Sequence, residues 1–162
     1  MRDFIEWTQG TWLAQFMTES QWAWAWCEVG HFIGMSMLFG SVLVMDLRLM
    51  GFFRNSIAIR AIRSLAPWAA TGFTLNLLTG IAFLAKDADR LLPNPSFLFK
   101  MACVMLAGLN FLLFMAAFGK QSTAWRNDEN PPLGAKLMGF VSLAAWILVI
   151  WGGRMIPVYG EG

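Results

Sequence analysis

Charged residues are scarce in this sequence. They make up 14% of its 162 residues, whereas 57% are hydrophobic, and the two signs nearly cancel to a formal net charge of +2. A water-soluble domain carries about 25% charged residues, so the composition excludes that class. The small net charge, spread without a basic stripe, also excludes nucleic-acid binding. The composition therefore predicts a protein whose solvent is lipid.

Metal-ligating residues are also few. The sequence has two cysteines, Cys27 and Cys103, and a single histidine, His31. Two cysteines inside apolar runs give no disulfide framework and behave as small hydrophobic side chains. The spacing Glu28-x-x-His31 occurs once, whereas di-iron four-helix bundles use it twice together with two further carboxylates. These shortages exclude a di-iron centre.

Four long apolar runs are present instead. A helix needs roughly 20 apolar residues to cross a hydrocarbon core of about 30 Å. The runs predict four membrane spans, at about 21–45, 66–85, 96–119 and 133–153. The fold class is therefore expected to be all-α, an integral membrane four-helix bundle in which residues 21–162 form a single transmembrane domain.

Residues 1–20 are too polar to cross a membrane. Between positions 3 and 18, the apolar residues Ile5, Trp12, Leu13 and Phe16 recur at helical spacing. Such a pattern is typical of a helix that lies in the headgroup layer. We therefore expect an N-terminal interfacial amphipathic helix.

The connections between the spans predict orientation. The side with the first and third connections holds seven of the twelve Lys and Arg residues, and the other side holds five. Basic residues mark the cytoplasmic face, so both termini are expected on the opposite side.

In the first connection, an apolar face over residues 57–65 predicts a surface helix or an extension of the second span, with Pro67 at its bend or restart.

Small and polar residues recur within the spans at four-residue spacing. Such stripes let helix backbones approach closely in lipid. An unpaired amide in hydrocarbon is costly, so Asn76 and Asn110 are expected to face protein. The stripes are Gly30 with Gly34, Gly72 with Asn76 and Gly80, and Gly139 with Ser142.

The strongest candidate for chemistry is His31. It follows Gln21 by about ten residues, or roughly 15 Å of helix, which places it near the membrane centre, where ionisable groups are expensive and commonly functional. Imidazole is a usual axial ligand of haem iron, and Gly34, one turn away, would leave a flat helix face for a macrocycle. We expect haem b with His31 as its metal ligand. The alternatives are proton or substrate handling by His31 and a packed histidine that is hydrogen-bonded to Glu28 or a neighbouring helix.

The second axial position stays open. A two-fold symmetric dimer would supply His31 from each copy. Met105 lies about ten residues after Pro95, at nearly the same depth as His31, and its thioether could also bind iron. A ligand from a partner subunit and a five-coordinate haem are the remaining alternatives.

Lys100 is the second candidate, about five residues inside the third span. An unpaired charge there is costly, so we expect an ion pair between Glu28 and Lys100. Alternatively Lys100, together with Arg154, binds an anionic headgroup, a quinone oxygen or haem propionates. A lysine that only extends to the interface is the remaining reading.

Several short motifs run along most of the chain. They are Gly30-His31-Phe-Ile-Gly34, Gly40, Asp46-Leu-Arg48-Leu-Met-Gly51, Thr79-Gly80 with Phe83, and Asn94-Pro95-x-Phe97 with Lys100. The set resembles an uncharacterised family of small four-helix bacterial inner-membrane proteins. The resemblance implies four helices in a bacterial inner membrane and pattern positions at His31, Asp46, Arg48 and Lys100. In that membrane, the side expected for both termini from the Lys and Arg count is the periplasm. Asp46 and Arg48 are expected to close the end of the first span.

Two functions follow from these residues. The leading hypothesis is a membrane b-type haem protein that transfers electrons between quinol and a periplasmic partner, at most an electron-transfer subunit rather than a complete enzyme. The second is a non-catalytic scaffold or anchor subunit of a larger complex, with Glu28, His31 and Lys100 as a buried polar lock. Both suit a homo-oligomer or a membrane complex. A carrier or channel is disfavoured, because paired repeats and broken helices are absent from the pattern.

Overall fold

The fold is a set of helices. In this computed structural model the described residues are 2–53, 56–57, 64–120, 122, 125 and 130–159. Their helices are α1 (Arg2–Gln9), α2 (Trp12–Glu19), α3 (Ala23–Leu49), α4 (Ala66–Leu91), α5 (Pro95–Phe118) and α6 (Leu133–Tyr159). The helices α3 to α6 are each long and apolar enough to cross a membrane. The predicted all-α membrane bundle is confirmed.

The helix ends extend beyond the apolar runs. The first, second and fourth spans continue as helix to Leu49, Leu91 and Tyr159. The end of α4 bends at Asp87, which has non-helical backbone angles. Hydropathy marks the part of a helix that lies in lipid, whereas the backbone stays helical into the polar flank.

Pro67 stands in the first turn of α4, so it marks a helix start, where its missing N–H costs nothing. Most of the predicted surface helix at 57–65 lies outside the described residues.

The N-terminal segment forms two helices rather than the predicted single one. The chain breaks at Gly10 and Thr11, because the Thr11 side chain accepts a hydrogen bond from the Ala14 N–H and starts a new helix. Ala14 and Met17 are buried, and both short helices pack against α4. The end of the bundle that they cover is called here the α1–α2 end.

The four long helices form two hairpins. One is α3 with α4, the other is α5 with α6, and the hairpins join where α3 packs against α6. Along their lengths the helices α4 and α5 do not pack against each other. The hairpins therefore meet along α3 and α6 and are apart at α4 and α5.

Glycines set the closest helix contacts. A Cβ on Gly72 would lie 2.6 Å from the Gly34 oxygen and 2.6 Å from the Leu38 nitrogen. A Cβ on Gly139 would lie 3.1 Å from the Asp46 oxygen. The predicted role of these glycines in close helix packing is confirmed.

Polar side chains reinforce the same contacts. In the α5–α6 hairpin, Asn110 Nδ2 donates to the Met138 oxygen at 3.0 Å and Asn94 Nδ2 donates to the Ile156 oxygen at 2.9 Å. Between α3 and α4, His31 Nδ1 lies 2.8 Å from Thr79 Oγ1. These hydrogen bonds hold the helices together in lipid, where association gives no hydrophobic stabilisation.

The end of α3 is closed by Arg48. Its side chain is completely buried, and its Nε donates to the Ile57 oxygen at 3.0 Å. Asp46, two residues earlier, is also buried. The contact of Arg48 agrees with the expectation that it closes the end of the first span.

The Gly72 contact gives a stability prediction. Gly72→Ala should lower the free energy of unfolding by about 1–3 kcal/mol, because the added methyl group meets backbone that cannot move aside. Gly40→Ala is the matched control, since nothing lies within 4 Å of its added Cβ. Thermal unfolding of both variants in detergent measures the difference. Equal midpoints for the two variants would contradict the close contact.

Candidate functional site

A cavity of about 920 Å³ lies between the two hairpins. All four long helices contribute to its walls, which are mostly apolar. Its volume falls within the range of about 300–1,000 Å³ that is typical of ligand sites. Its open side is the gap between α4 and α5. The lining residues with amide, imidazole or charged side chains are Glu28, His31, Asn76, Asp87, Arg90, Asn94, Lys100 and Arg154.

His31 is held by a hydroxyl on the neighbouring helix. Its Nδ1 lies 2.8 Å from Thr79 Oγ1, and the same oxygen lies 2.8 Å from the Leu75 carbonyl oxygen. A threonine hydroxyl has one hydrogen, and here it is donated to the backbone, so Oγ1 accepts from Nδ1–H. A neutral imidazole has a single N–H, so Nε2 carries the free lone pair. The hydrogen bond thus selects the ring nitrogen that is available to a ligand.

Aromatic rings pack beside the imidazole. The Phe83 ring lies edge-on to His31 at 5.5 Å between centroids, and Trp24 lies 4.8 Å from Phe83. The Lys86 ammonium sits 4.5 Å from the centre of the Trp24 ring, at a distance suited to a cation–π contact. This stack restricts the ring orientation of His31 and covers the site toward the α1–α2 end.

Lys100 reaches the cavity along α6. A Cβ on Gly152 would lie 3.3 Å from the Lys100 Cβ, and one on Gly153 would lie 3.8 Å from its Nζ. Lys100 and His31 line the same cavity. Among the described residues, no carboxylate lies within 4.0 Å of its ammonium. The lysine is thus a cation in an apolar cavity without a counter-ion from these parts of the chain.

The other polar side chains at the cavity do not balance one another in charge or in hydrogen bonding. Asn76 Oδ1 is buried and has no hydrogen-bond donor among the described residues. Three basic side chains line the cavity, those of Arg90, Lys100 and Arg154, against two acidic ones, Glu28 and Asp87. The cavity therefore has a small excess of positive charge beside the imidazole of His31.

The structure brings most of the predicted site residues together. His31, Lys100, Arg154 and Glu28 line the same cavity. However, no hydrogen bond or ion pair joins Glu28 to His31 or Lys100 within the part of the chain described, and Glu28 is exposed. The three residues share the cavity but do not form a closed lock.

Two predicted site residues lie elsewhere. Gly34 does not open a flat face, because the Gly72 oxygen and the Asn76 nitrogen occupy that space at 3.0 and 3.2 Å from its added Cβ. Met105 is 74% exposed and does not line the cavity. Gly80, with nothing within 4 Å of its added Cβ, lines the cavity and supplies the open face instead.

Sequence reasoning missed further residues at the site. In the sequence, Thr79 stands out only as part of a motif, because its contact with His31 depends on the register of α3 against α4. Met101 lines the cavity one turn before Met105. The spacing of Phe97, Lys100, Met101 and Val104 places these residues on one helix face. This pattern could have identified Met101 from the sequence.

The fold and cavity define a small multi-pass membrane protein. Within the described ranges, no group of three or more His, Cys, Asp or Glu residues could hold a metal ion. The chain belongs to DUF6644, a family of unknown function whose model matches residues 4–159. No curated protein and no solved structure matches it. The expected membership of an uncharacterised family is confirmed.

The orientation of His31 can be tested by nuclear magnetic resonance. Because the chain has one histidine, labelling histidine with ¹⁵N reports on this ring alone. We expect a protonated Nδ1 and an unprotonated Nε2 in the ligand-free wild type, and loss of this preference in Thr79→Val. Thr74→Val is the matched control, since the Thr74 hydroxyl also bonds the carbonyl four residues earlier, on the exposed side of α4. The reverse tautomer in the wild type would refute the assignment.

Proposed function

We propose that the chain is a b-type haem protein of the bacterial inner membrane that transfers electrons between quinol and a periplasmic partner. His31 Nε2 is the axial ligand, and both termini lie in the periplasm. Haem, when bound, supplies a one-electron redox centre. The single observation that carries the proposal is an imidazole in the wall of a large apolar cavity whose Nδ1 is held by a threonine hydroxyl, which leaves Nε2 for a ligand.

The cavity residues fit haem in three respects. Histidines that bind metals commonly donate their other ring nitrogen to a fixed acceptor, as His31 does to Thr79. The mostly apolar walls suit a macrocycle, and the volume of about 920 Å³ is at the upper end for ligand sites. Lys100 and Arg154 supply cations for the carboxylate groups of such a ligand.

Each residue has a definite task in this proposal. Thr79 holds the ring of His31 so that Nε2 keeps its lone pair toward the cavity. Phe83 packs against the ring, and Trp24 packs against Phe83, so that the two aromatic side chains shield this side of the imidazole. Lys100 and Arg154 orient the ligand by binding its anionic edge. Electrostatic attraction in this poorly solvated space is stronger than in water, which stabilises the oriented ligand.

The quinol and the membrane side are proposed on separate grounds. The cavity opens where α4 and α5 do not pack, which would give a lipid-dissolved quinol lateral access. The excess of Lys and Arg in the first and third connections supports a cytoplasmic location for them and a periplasmic one for the termini.

A dimer in which two copies of His31 share one iron has less support, since His31 faces its own bundle.

A scaffold or anchor subunit is the second candidate. The helix α5 favours it, because Met105, Leu109 and Leu112 present an exposed apolar face that could meet foreign helices. Against it stand the unmatched His31 Nε2, Asn76 Oδ1 and Lys100, since a lock built for packing should satisfy its own polar groups. Purification with stoichiometric partner chains and no cofactor would favour the scaffold.

Absorbance spectroscopy tests the haem directly. Protein purified in mild detergent after expression with adequate haem should show a Soret band, and His31→Ala should lose it because the iron loses its ligand. Met105→Leu is the matched control and should keep the band, since this residue lies outside the cavity. No Soret band in the wild type, or an unchanged band in His31→Ala, would overturn the proposal. Native mass of the same sample gives the copy number.

The role of Lys100 can be tested by haem dissociation. A hydrogen bond to a charged group contributes about 1.5–3 kcal/mol, so Lys100→Gln should release haem to an acceptor apoprotein at least about ten times faster. Lys86→Gln is the control, since the Lys86 ammonium lies over Trp24 and does not line the cavity. Equal release rates in the two variants would show that Lys100 does not hold the ligand.

A further inference from the structure

Two thioethers line the cavity within the described residues, those of Met35 and Met101. Met35 follows His31 by four residues on α3, so it lies on the same side of the cavity, one helical turn along. A second axial ligand must approach a macrocycle from the face opposite to the first. Met35 is therefore poorly placed for that role.

Met101 comes from the other side of the cavity. Phe97, Lys100, Met101 and Val104 all line it, and their spacing of three and four residues defines one face of α5. The helices α3 and α5 do not pack against each other along their lengths, so the cavity separates His31 from this face. Met101 thus approaches from a helix that is opposite α3.

Both residues also lie near the start of their helices. The helices α3 and α5 both begin at the α1–α2 end, with Ala23 and Pro95 as their first residues. His31 lies eight residues into α3 and Met101 six residues into α5, or about 12 and 9 Å at 1.5 Å per residue. Both side chains are therefore closer to the α1–α2 end of the bundle than to its far end.

We propose that Met101 is the second axial ligand of the haem, opposite His31. The inference rests on the proposed function and adds the coordination state to it. Lys100, the next residue along, is suited to a different task, because an ammonium has no lone pair for iron and instead binds an anionic edge. The pairing of histidine with methionine raises the reduction potential of a haem. The site would then accept electrons readily from quinol.

The test uses full-length protein purified with haem. The oxidised wild type should be low-spin and six-coordinate and should show the weak long-wavelength band of a thioether–iron bond. Met101→Leu preserves side-chain volume, so it should keep its haem through His31 but lose this band, become high-spin and have a lower midpoint potential. Met101→His should restore the low-spin state without the thioether band.

Two control variants each remove one other methionine thioether, that of Met35 or that of Met105. Met35→Leu and Met105→Leu should both keep the wild-type spectrum and midpoint potential. If Met101→Leu retains the thioether band, or if Met35→Leu or Lys100→Gln is the variant that changes spin state, the assignment of Met101 is wrong while haem binding by His31 stands. If the wild type binds no haem, the proposed function fails, and this inference fails with it.

Discussion

The close approach of α3 and α4 at Gly34 and Gly72 is the constraint on which the candidate site depends. In lipid, helices gain no hydrophobic stabilisation from association, so dispersion contacts and hydrogen bonds must hold them. The two glycines allow backbone atoms of the facing helices to touch. That contact fixes the register of the pair, and the register places Thr79 against His31. A helix rotates by about 100° per residue, so a slip of one residue would turn the hydroxyl away from the imidazole.

Polar groups in the bundle fall into two sets with different roles. Asn94 and Asn110 donate to carbonyls of the facing helix, so these groups join α5 to α6. Within the described residues, His31 Nε2 and Asn76 Oδ1 lack such partners and belong to residues that line the cavity. The two sets are not separated in space, because Asn94 also lines the cavity, and Asp46 Oδ2 is buried without a partner from the described chain where α3 packs against α6.

The sequence was sufficient for the spans and insufficient for the directions of side chains. Length and hydropathy locate a membrane helix, since both depend on one segment alone. The role of Gly34 depends on what lies opposite, and an open face and a tight contact look identical along a single helix. Met105 and Met101 show the same limit, because depth follows from residue number, whereas the direction around the helix axis relative to a cavity requires the packed neighbours. The contact between Thr79 and His31 likewise needs the register of two helices.

The connection between α4 and α5 affects how the bundle can open. Residues 92–94 tie these helices together at the α1–α2 end, and Asn94 also secures α5 to α6 through the Ile156 carbonyl. Because this end is tied, a separation of α4 from α5 would be largest at the far end, as between the arms of a hinge. If a ligand enters between these helices, the wider passage would therefore lie on the side of the bundle away from the N-terminal helices.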